Sequence, residues 1–455
     1  MTTTIAAKTA ATTAAGRRTP DVLAASTALL TDQYELTMLR AAIADGTAQR
    51  YSVFEAFARH LPRGRRYGVV AGLDRILEAV EAFTFAPDQV LSLLERGVID
   101  IPTARWLSDF RFRGTIHAYP EGELYFGGSP VLRVEGTFGE CVVLETLVLS
   151  ILNHDVAIAS AASRMVAAAG GRTLLEMGSR RTHEAAAVAA ARAAYVAGFD
   201  ATSNLQACYR HGVPAVGTSA HSFTLAHDSE AEAFAAQVAT LGSSTTLLVD
   251  TYDIEQGIRN AVAAAGTGLG GVRIDSGDLG AEAARARRLL DELGASGAKV
   301  VVTGDLDEYR IADLADAPVD VLGVGTRLVT GSGHPTASMV YKLVAISPDE
   351  TDRDLRPVAK NAAGKASVGG RKVARRLLDD RGVAIAEEVL PEDALRATPA
   401  RGQRPGRDLQ VLAFADGVRL HRPTLEQSRA LHRRALAELD ATALDLADGP
   451  AALGA

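Results

Sequence analysis

From about residue 171 onward, six short apolar runs each end in residues that can do chemistry. TLLEM (173–177) runs into Gly178, Ser179, Arg180 and Arg181, and VPAVG (213–217) into Thr218, Ser219, Ala220, His221 and Ser222. TTLLVD (245–250) continues as Thr251, Tyr252 and Asp253, and GVRID (271–275) as Ser276, Gly277 and Asp278. KVVVTG (299–304) leads to Asp305, and VDVLGVG (319–325) to Thr326 and Arg327. Each motif is weak alone. Their recurrence at the carboxyl end of every run is the informative feature.

The residue types point to anions. Arg180 and Arg181 precede a helical stretch with Thr182 as its expected N-cap. A helix N-terminus with two guanidiniums suits phosphate. Gly323, Gly325 and Thr326 form a second phosphate candidate, because glycine lets the backbone approach an anion closely. Arg273 sits inside an otherwise apolar strand, alternating with Val272 and Ile274, and a buried guanidinium needs an anionic partner or ligand. Asp250, Asp275, Asp278 and Asp305 suit ribose hydroxyls or Mg²⁺, which takes oxygen ligands and usually keeps substrate phosphates. Other strings fail their context. GTGLGG (266–271) precedes a strand instead of following one, His183-Glu184 has no second histidine at metalloprotease spacing, and there is no P-loop.

The elements that must position these groups are legible from the alternation. Helical stretches at 182–197, 230–240, 253–264, 281–293 and 307–315 separate the runs, which implies right-handed βαβ units and a parallel sheet. Six strands in series fit a (β/α) barrel, whose strand ends share one face; an open doubly wound sheet is the alternative. Upstream, residues 27–40 read as a helix with Asp32 as N-cap. Residues 110–135 read as antiparallel strands, and 138–169 as a long Ala-rich helix broken near Asn153. Residues 346–371 lose the pattern and read as a mobile loop carrying Lys360, Lys365, Arg371 and Lys372. A helix follows at 424–440.

The 455 residues exceed a single core and imply at least two domains. A formal net charge of −7 gives no electrostatic reason to expect nucleic acid or an anionic membrane as partner. The two cysteines, Cys141 and Cys208, lack metal or redox spacing and read as free thiols of a cytoplasmic protein. The most apolar stretch, CVVLETLVLSIL (141–152), is too short to span a bilayer. Residues 1–26 read as a disordered tail.

Over roughly residues 27–375 the chain resembles the nicotinate phosphoribosyltransferases. The resemblance rests on LLTDQYELTM, EMGSRRTHEAAA, GTSAHSF, LLVDTYDIEQGI, RIDSGDLG, VVTGDLDEY and GVGTRLVTGSGHPTASMVYKLV, in that order. It implies an α/β fold: an irregular (β/α) barrel with a second α+β domain formed from both chain ends. The expected division is 27–137, an N-terminal α+β domain; 138–345, the catalytic barrel; and 346–455, the loop and a C-terminal segment packing on the N-terminal domain. It further implies synthesis of nicotinate mononucleotide and pyrophosphate from nicotinate and 5-phosphoribosyl 1-pyrophosphate. That synthesis is coupled to ATP through a phosphohistidine at His221. Tyr34, Thr218 and Arg273 match nicotinate-site residues. Arg180, Arg181, Asp275, Gly304, Asp305, Gly323, Gly325 and Thr326 would bind the phosphoribosyl pyrophosphate, with Asp250 and Asp275 as Mg²⁺ ligands. A homodimer with the site at its interface is implied as well.

Other readings remain. Nicotinamide could replace nicotinate, since Arg273 can serve either ring. Quinolinate phosphoribosyltransferases are shorter and need no phosphohistidine. A barrel aldolase would want a Schiff-base lysine at a strand end, where only Lys342 comes near. A non-catalytic nucleotide-binding protein would have no use for His221, whose acid partner is Asp250 or Asp253.

Overall fold

The structure, a computed structural model, describes residues 26–350, 354–360, 368–392, 394 and 405–453. The tail expected over 1–26 lies outside the described residues except for Ser26.

The Val-rich runs form a six-stranded parallel sheet. Its order is Ala201–Thr202, Thr173–Glu176, Val321–Val324, Lys299–Thr303, Gly271–Ile274, Thr246–Leu248. These strands are apolar on both faces because helices cover one side and the barrel interior the other. In Lys299–Thr303 every residue after the first is buried. Thr173–Glu176 pairs with Val321–Val324, so the first strand of the series meets the last. The ring stays open at one place, between Ala215 and Thr246–Leu248, where no ladder joins the described residues. The result is a half-barrel with a gap.

The gap corrects one expectation. VPAVG does not form a strand; a single bridge, Thr202 to Ala215, is all it makes. Pro214 has no N–H to give a ladder, and Val216 is 42 % exposed. The segment therefore rims the opening.

A seven-stranded antiparallel sheet stands beside the barrel. Its order is Arg356–Pro357, Met339–Ile346, Tyr51–Ala58, Leu132–Thr137, Thr115–Ala118, Val411–Ala415, Val418–Arg419. Both ends of the chain meet in it, because Val411–Ala415 pairs with Thr115–Ala118. The helix Glu145–Ala169 joins the two layers. Its Val148 and Leu152 enter the core of the antiparallel sheet, and its Ile158, Ala162 and Met165 enter the barrel core.

That helix is unbroken at Asn153. The break falls earlier, after Phe138–Val142, a turn started by a capping box between Thr137 and Glu140. Asn153 uses its side chain to hold the entry of the next strand: Oδ1 accepts from Met339 N at 2.7 Å and Thr336 Oγ1 at 2.9 Å. By length and composition Phe138–Ala169 passes as a membrane span, which the sequence reading did not find, yet 67 % of its most apolar window is buried within the protein. The two cores account for its hydropathy.

The described parts of 346–371 are also not free loop. Arg356–Pro357 pairs with the edge of Met339–Ile346, and the Gly370 amide donates to Val344 O at 2.7 Å.

The C-terminal helix Leu425–Ala437 is pinned by His432. The Nδ1 of His432 lies 3.1 Å from Gly122 O, and its Nε2 lies 3.0 Å from Ser163 Oγ. Burial lowers the imidazole pKa to about 4. The unfolded chain therefore binds this proton first, near pH 6.5, and stability present above that pH is lost as pH falls towards 4. The loss across the window is up to about 3 kcal/mol. Thermal melts from pH 7 to 4.5 should show it, with a shallower slope in His432→Gln.

Candidate active site

The carboxyl ends of the parallel strands open at the gap. His221 begins a short helix, His221–Leu225, on its rim. The ring is 42 % exposed; Nδ1 lies 3.1 Å from Thr251 Oγ1 and Nε2 lies 3.9 Å from Asp250 Oδ1. The Asp250 side chain is 1 % exposed. Its Oδ2 accepts from Asp275 N and Ser276 Oγ, both at 2.8 Å. Its Oδ1 is buried and has no hydrogen-bond partner among the described residues. A buried carboxylate oxygen without a donor is costly, and the imidazole edge of His221 is the group it faces. Asp253, the other candidate acid, is committed to capping Ile254–Ala265 through Gln256 N at 2.8 Å. Asp250 is thus the acid that addresses His221.

Arg273 lies on the adjacent strand, 13 % exposed. Its Nε donates to Thr303 Oγ1 at 3.1 Å, and its NH2 is 3.7 Å from Asp275 Oδ2. The Thr303 hydroxyl donates in turn to Asp275 Oδ1. One polar chain therefore runs from His221 and Asp250 through Asp275 to Thr303 and Arg273. Gly304 and Asp305 turn sharply after Thr303 with φ of 124° and 48°. A side chain on Gly304 would approach Asp275 O to 2.9 Å, which glycine avoids.

The phosphate candidates separate. Gly323 lies inside its strand, where a Cβ would collide with the Thr303 methyl and reach 2.9 Å from Met177 Sδ. Its smallness makes room for side chains. Gly325 is more open, with Met177 O at 3.4 Å from a Cβ, and Thr326 follows it at the mouth. Arg180 and Arg181 are exposed and make no ion pair among the described residues. They lie in a separate turn, Ser179–Arg181; the next helix, Glu184–Val196, is capped by His183, not Thr182. Thr218 is exposed on the rim beside His221.

Tyr34 is not brought to this mouth. It is 46 % exposed on the helix Gln33–Ala44. Partial burial, with Glu145 and Glu35 nearby, pushes its hydroxyl up to about 12. The lysine-bearing segment is corrected too: Lys372 is buried against Glu55 at 2.6 Å, and Arg371 pairs with Glu135 at 2.6 Å. Neither is free to close over phosphates, and Lys365 lies outside the described residues.

Two residues escaped the sequence reading. Glu176 ends the first barrel strand, buried, accepting from Thr202 Oγ1 and Gly178 N. Burial raises its pKa despite those two donors. It ties the turn carrying Arg180 to the neighbouring strand end. Thr303 is the other. A polar or charged group inside an apolar run is the signal that both offer, and it is the one that revealed Arg273.

The comparisons with known proteins follow this geometry. Residues 29–153 match the nicotinate phosphoribosyltransferase N-terminal domain model, and residues 158–332 match the quinolinate phosphoribosyl transferase C-terminal domain model. The chain is 55 % identical over 433 residues to nicotinate phosphoribosyltransferase pncB1 of Mycobacterium tuberculosis, covering 93 % of this chain and 94 % of that one. The human nicotinate phosphoribosyltransferase is 30 % identical, with the same coverages. The crystal structure of human nicotinic acid phosphoribosyltransferase superposes with a TM-score of 0.78 at 26 % identity, covering 92 % of this chain and 95 % of the other. The nicotinate-nucleotide pyrophosphorylase of Pyrococcus furiosus, at 23 % identity and TM-score 0.74, shares the fold. Fold and strand-end site together define a barrel phosphoribosyltransferase. Within that class, the chain belongs to the nicotinate phosphoribosyltransferase family.

Proposed function

We propose that the protein makes nicotinate mononucleotide and pyrophosphate from nicotinate and 5-phosphoribosyl 1-pyrophosphate, as a cytoplasmic step of NAD salvage coupled to ATP hydrolysis. The observation that carries the coupling is the unpartnered Asp250 oxygen facing the His221 ring, one hydrogen bond away from the backbone of Asp275. At 3.9 Å from Nε2 the Asp250 carboxylate acts through its charge, favouring a proton on Nε2 and leaving Nδ1, which lies 3.1 Å from Thr251 Oγ1, as the nucleophile. That nitrogen attacks the γ-phosphorus of ATP; the bond to the β-phosphate oxygen breaks, and ADP leaves with the electron pair. Water later cleaves the phosphohistidine and releases phosphate.

In the transfer itself the pyridine nitrogen bonds to the ribose C1 and pyrophosphate departs with its electrons. Arg273 holds the nicotinate carboxylate, with Thr218 beside it on the rim. Arg180, Arg181, Gly304, Asp305, Gly325 and Thr326 surround the phosphates and ribose. A magnesium ion held with Asp275 would supply charge neutralisation of the leaving pyrophosphate. Asp275, whose side chain is 30 % exposed, is the carboxylate within reach of solvent, whereas Asp250 faces His221.

The dimer reading has physical support. Leu29, Leu30, Tyr34 and Met38 are exposed on one surface, and Leu205, Tyr209, Phe223 and Tyr252 around the barrel mouth, with Tyr209 88 % exposed. Paired exposed apolar surfaces mark an interaction site. A second copy covering both would carry Tyr34 of the partner subunit to the mouth, where its ring can stack on the pyridine. Mixing inactive Tyr34→Ala and Arg273→Ala proteins should then restore activity, since hybrid dimers hold one intact site. The primary test is product formation with nicotinate or nicotinamide, each with and without ATP. Nicotinate mononucleotide boosted by ATP supports the reading; product from nicotinamide alone reverses the substrate.

A further inference from the structure

Thr303 sits where three side chains meet. It ends the strand Lys299–Thr303 and is 4 % exposed. Its Oγ1 accepts from Arg273 Nε at 3.1 Å and donates to Asp275 Oδ1. The direct approach of Arg273 NH2 to Asp275 Oδ2, at 3.7 Å, is too long for a hydrogen bond. The hydroxyl is therefore the hydrogen-bonded link between the arginine and the acid.

The link is rigid. A β-branched side chain has few χ1 choices. The Thr303 methyl fills the space that a side chain on Gly323 would need, alongside Met177. With the methyl fixed there, the hydroxyl is fixed towards Arg273 and Asp275. The guanidinium is planar, and its Nε edge is occupied. Neither terminal nitrogen of Arg273 is a buried unsatisfied atom, so the NH1–NH2 end remains accessible to a ligand. That end presents two parallel N–H groups, the fork that a carboxylate takes in bidentate fashion.

We propose that Thr303 is a positioning residue and a specificity determinant. It holds the Arg273 guanidinium off Asp275 and aimed at the carboxylate of the incoming ring acid. Without the hydroxyl, Arg273 turns onto Asp275 and forms an internal ion pair. The substrate acid then has to compete with it, whereas a neutral amide loses little. This role rests on the phosphoribosyl transfer reading.

The test compares wild type with Thr303→Val, which keeps the shape and removes the hydroxyl, and Thr303→Ser, which restores it. In Thr303→Val the KM for nicotinate should rise about tenfold, with kcat within about twofold of wild type and a smaller rise in the KM for 5-phosphoribosyl 1-pyrophosphate, because Asp275 loses the same hydroxyl. The preference for nicotinate over nicotinamide in kcat/KM should fall by the same factor, and Thr303→Ser should recover most of it. Melting temperature, expected within about 3 °C of wild type, reports on the fold. An unchanged nicotinate KM in Thr303→Val overturns the proposal. So does a loss shared equally by both substrates, or a serine variant that fails to recover. A wild-type protein that makes no nicotinate mononucleotide overturns the transfer reading and this role with it, while a wild type that works leaves the variants to decide Thr303 alone.

Discussion

In the His221→Ala protein, ATP should no longer stimulate turnover, while nicotinate mononucleotide should still form at the ATP-free rate. The expectation follows from the separation of two chemistries in one mouth. Glycosyl transfer needs the ring nitrogen placed against the ribose carbon and the pyrophosphate charge compensated. On the proposed reading Arg273, the strand-end loops and a metal on the leaving group would supply those, and none of them is His221. Phosphoryl transfer from ATP needs a nucleophile, and at this rim the imidazole is the group with a carboxylate behind it. The ATP-coupled rate should therefore fall by ~10²-fold or more, the scale of losing an essential group, with the basal rate within a few-fold of wild type. Asp250→Asn should lie between the two: the nucleophile stays, but the ring loses the charge that keeps one nitrogen protonated. Incubation with γ-labelled ATP reads the same step directly, because label should enter wild type and not His221→Ala. ATP stimulation that survives in His221→Ala would overturn the phosphohistidine.

The parts of this site that the sequence discloses are those where a residue contradicts its surroundings. An arginine between valine and isoleucine in VRID must have an anion, and the structure puts Arg273 at the mouth. Polar residues after six consecutive apolar runs mean one shared face, and the parallel sheet provides it for five of them, with VPAVG on its rim. What stays hidden depends on pairing across the chain. Nothing local says that Thr303, thirty residues after Arg273, lies against it; only the parallel register of Gly271–Ile274 with Lys299–Thr303 does. Asp250 and Asp253 look alike in DTYD, and the difference is that one begins a helix as its cap while the other ends buried beneath His221. VPAVG is apolar enough for a strand, yet it rims a gap: Pro214 has no N–H to give a ladder, and among the described residues only Thr202 pairs with it. Lys372 reads as a mobile cation in a polar stretch, and its partner Glu55 lies three hundred residues away in FEAFA.

The largest loss of stability is expected from Glu308→Ala, which removes the acid shared by two buried arginines. Glu308 Oε1 accepts from Arg65 NH1 at 2.8 Å and from Arg164 Nε at 3.1 Å, and Oε2 accepts from Ser332 Oγ. All three charged side chains are at most 4 % exposed. Burial alone would raise the Glu308 pKa, but Arg65, Ser332 and Arg164 together hold it below the usual carboxylate value. Alanine leaves two guanidiniums without a counter-charge in the interior. Breaking a buried pair this way costs about 3–5 kcal/mol, since desolvation of the remaining charge is no longer offset. Against a typical stability of about 5–15 kcal/mol that is a large fraction, and for a chain of this length a melting temperature lower by about 3–5 °C should follow. Glu308→Gln keeps one acceptor oxygen and should fall in between. The pH dependence separates charge from packing. A carboxylate with a depressed folded pKa stabilises above its unfolded pKa and loses that contribution as pH falls through the folded value. Wild type should therefore lose stability below about pH 4.5 more steeply than Glu308→Ala. The cluster also reaches the mouth. Arg65 NH2 donates to Gly331 O at 3.1 Å, and only Thr330 separates Gly331 from the Thr326–Val329 turn. Loosening it should raise the KM for 5-phosphoribosyl 1-pyrophosphate before that for nicotinate. Assays below the melting transition would detect that order, and equal KM values in variant and wild type would confine Glu308 to holding the two layers together.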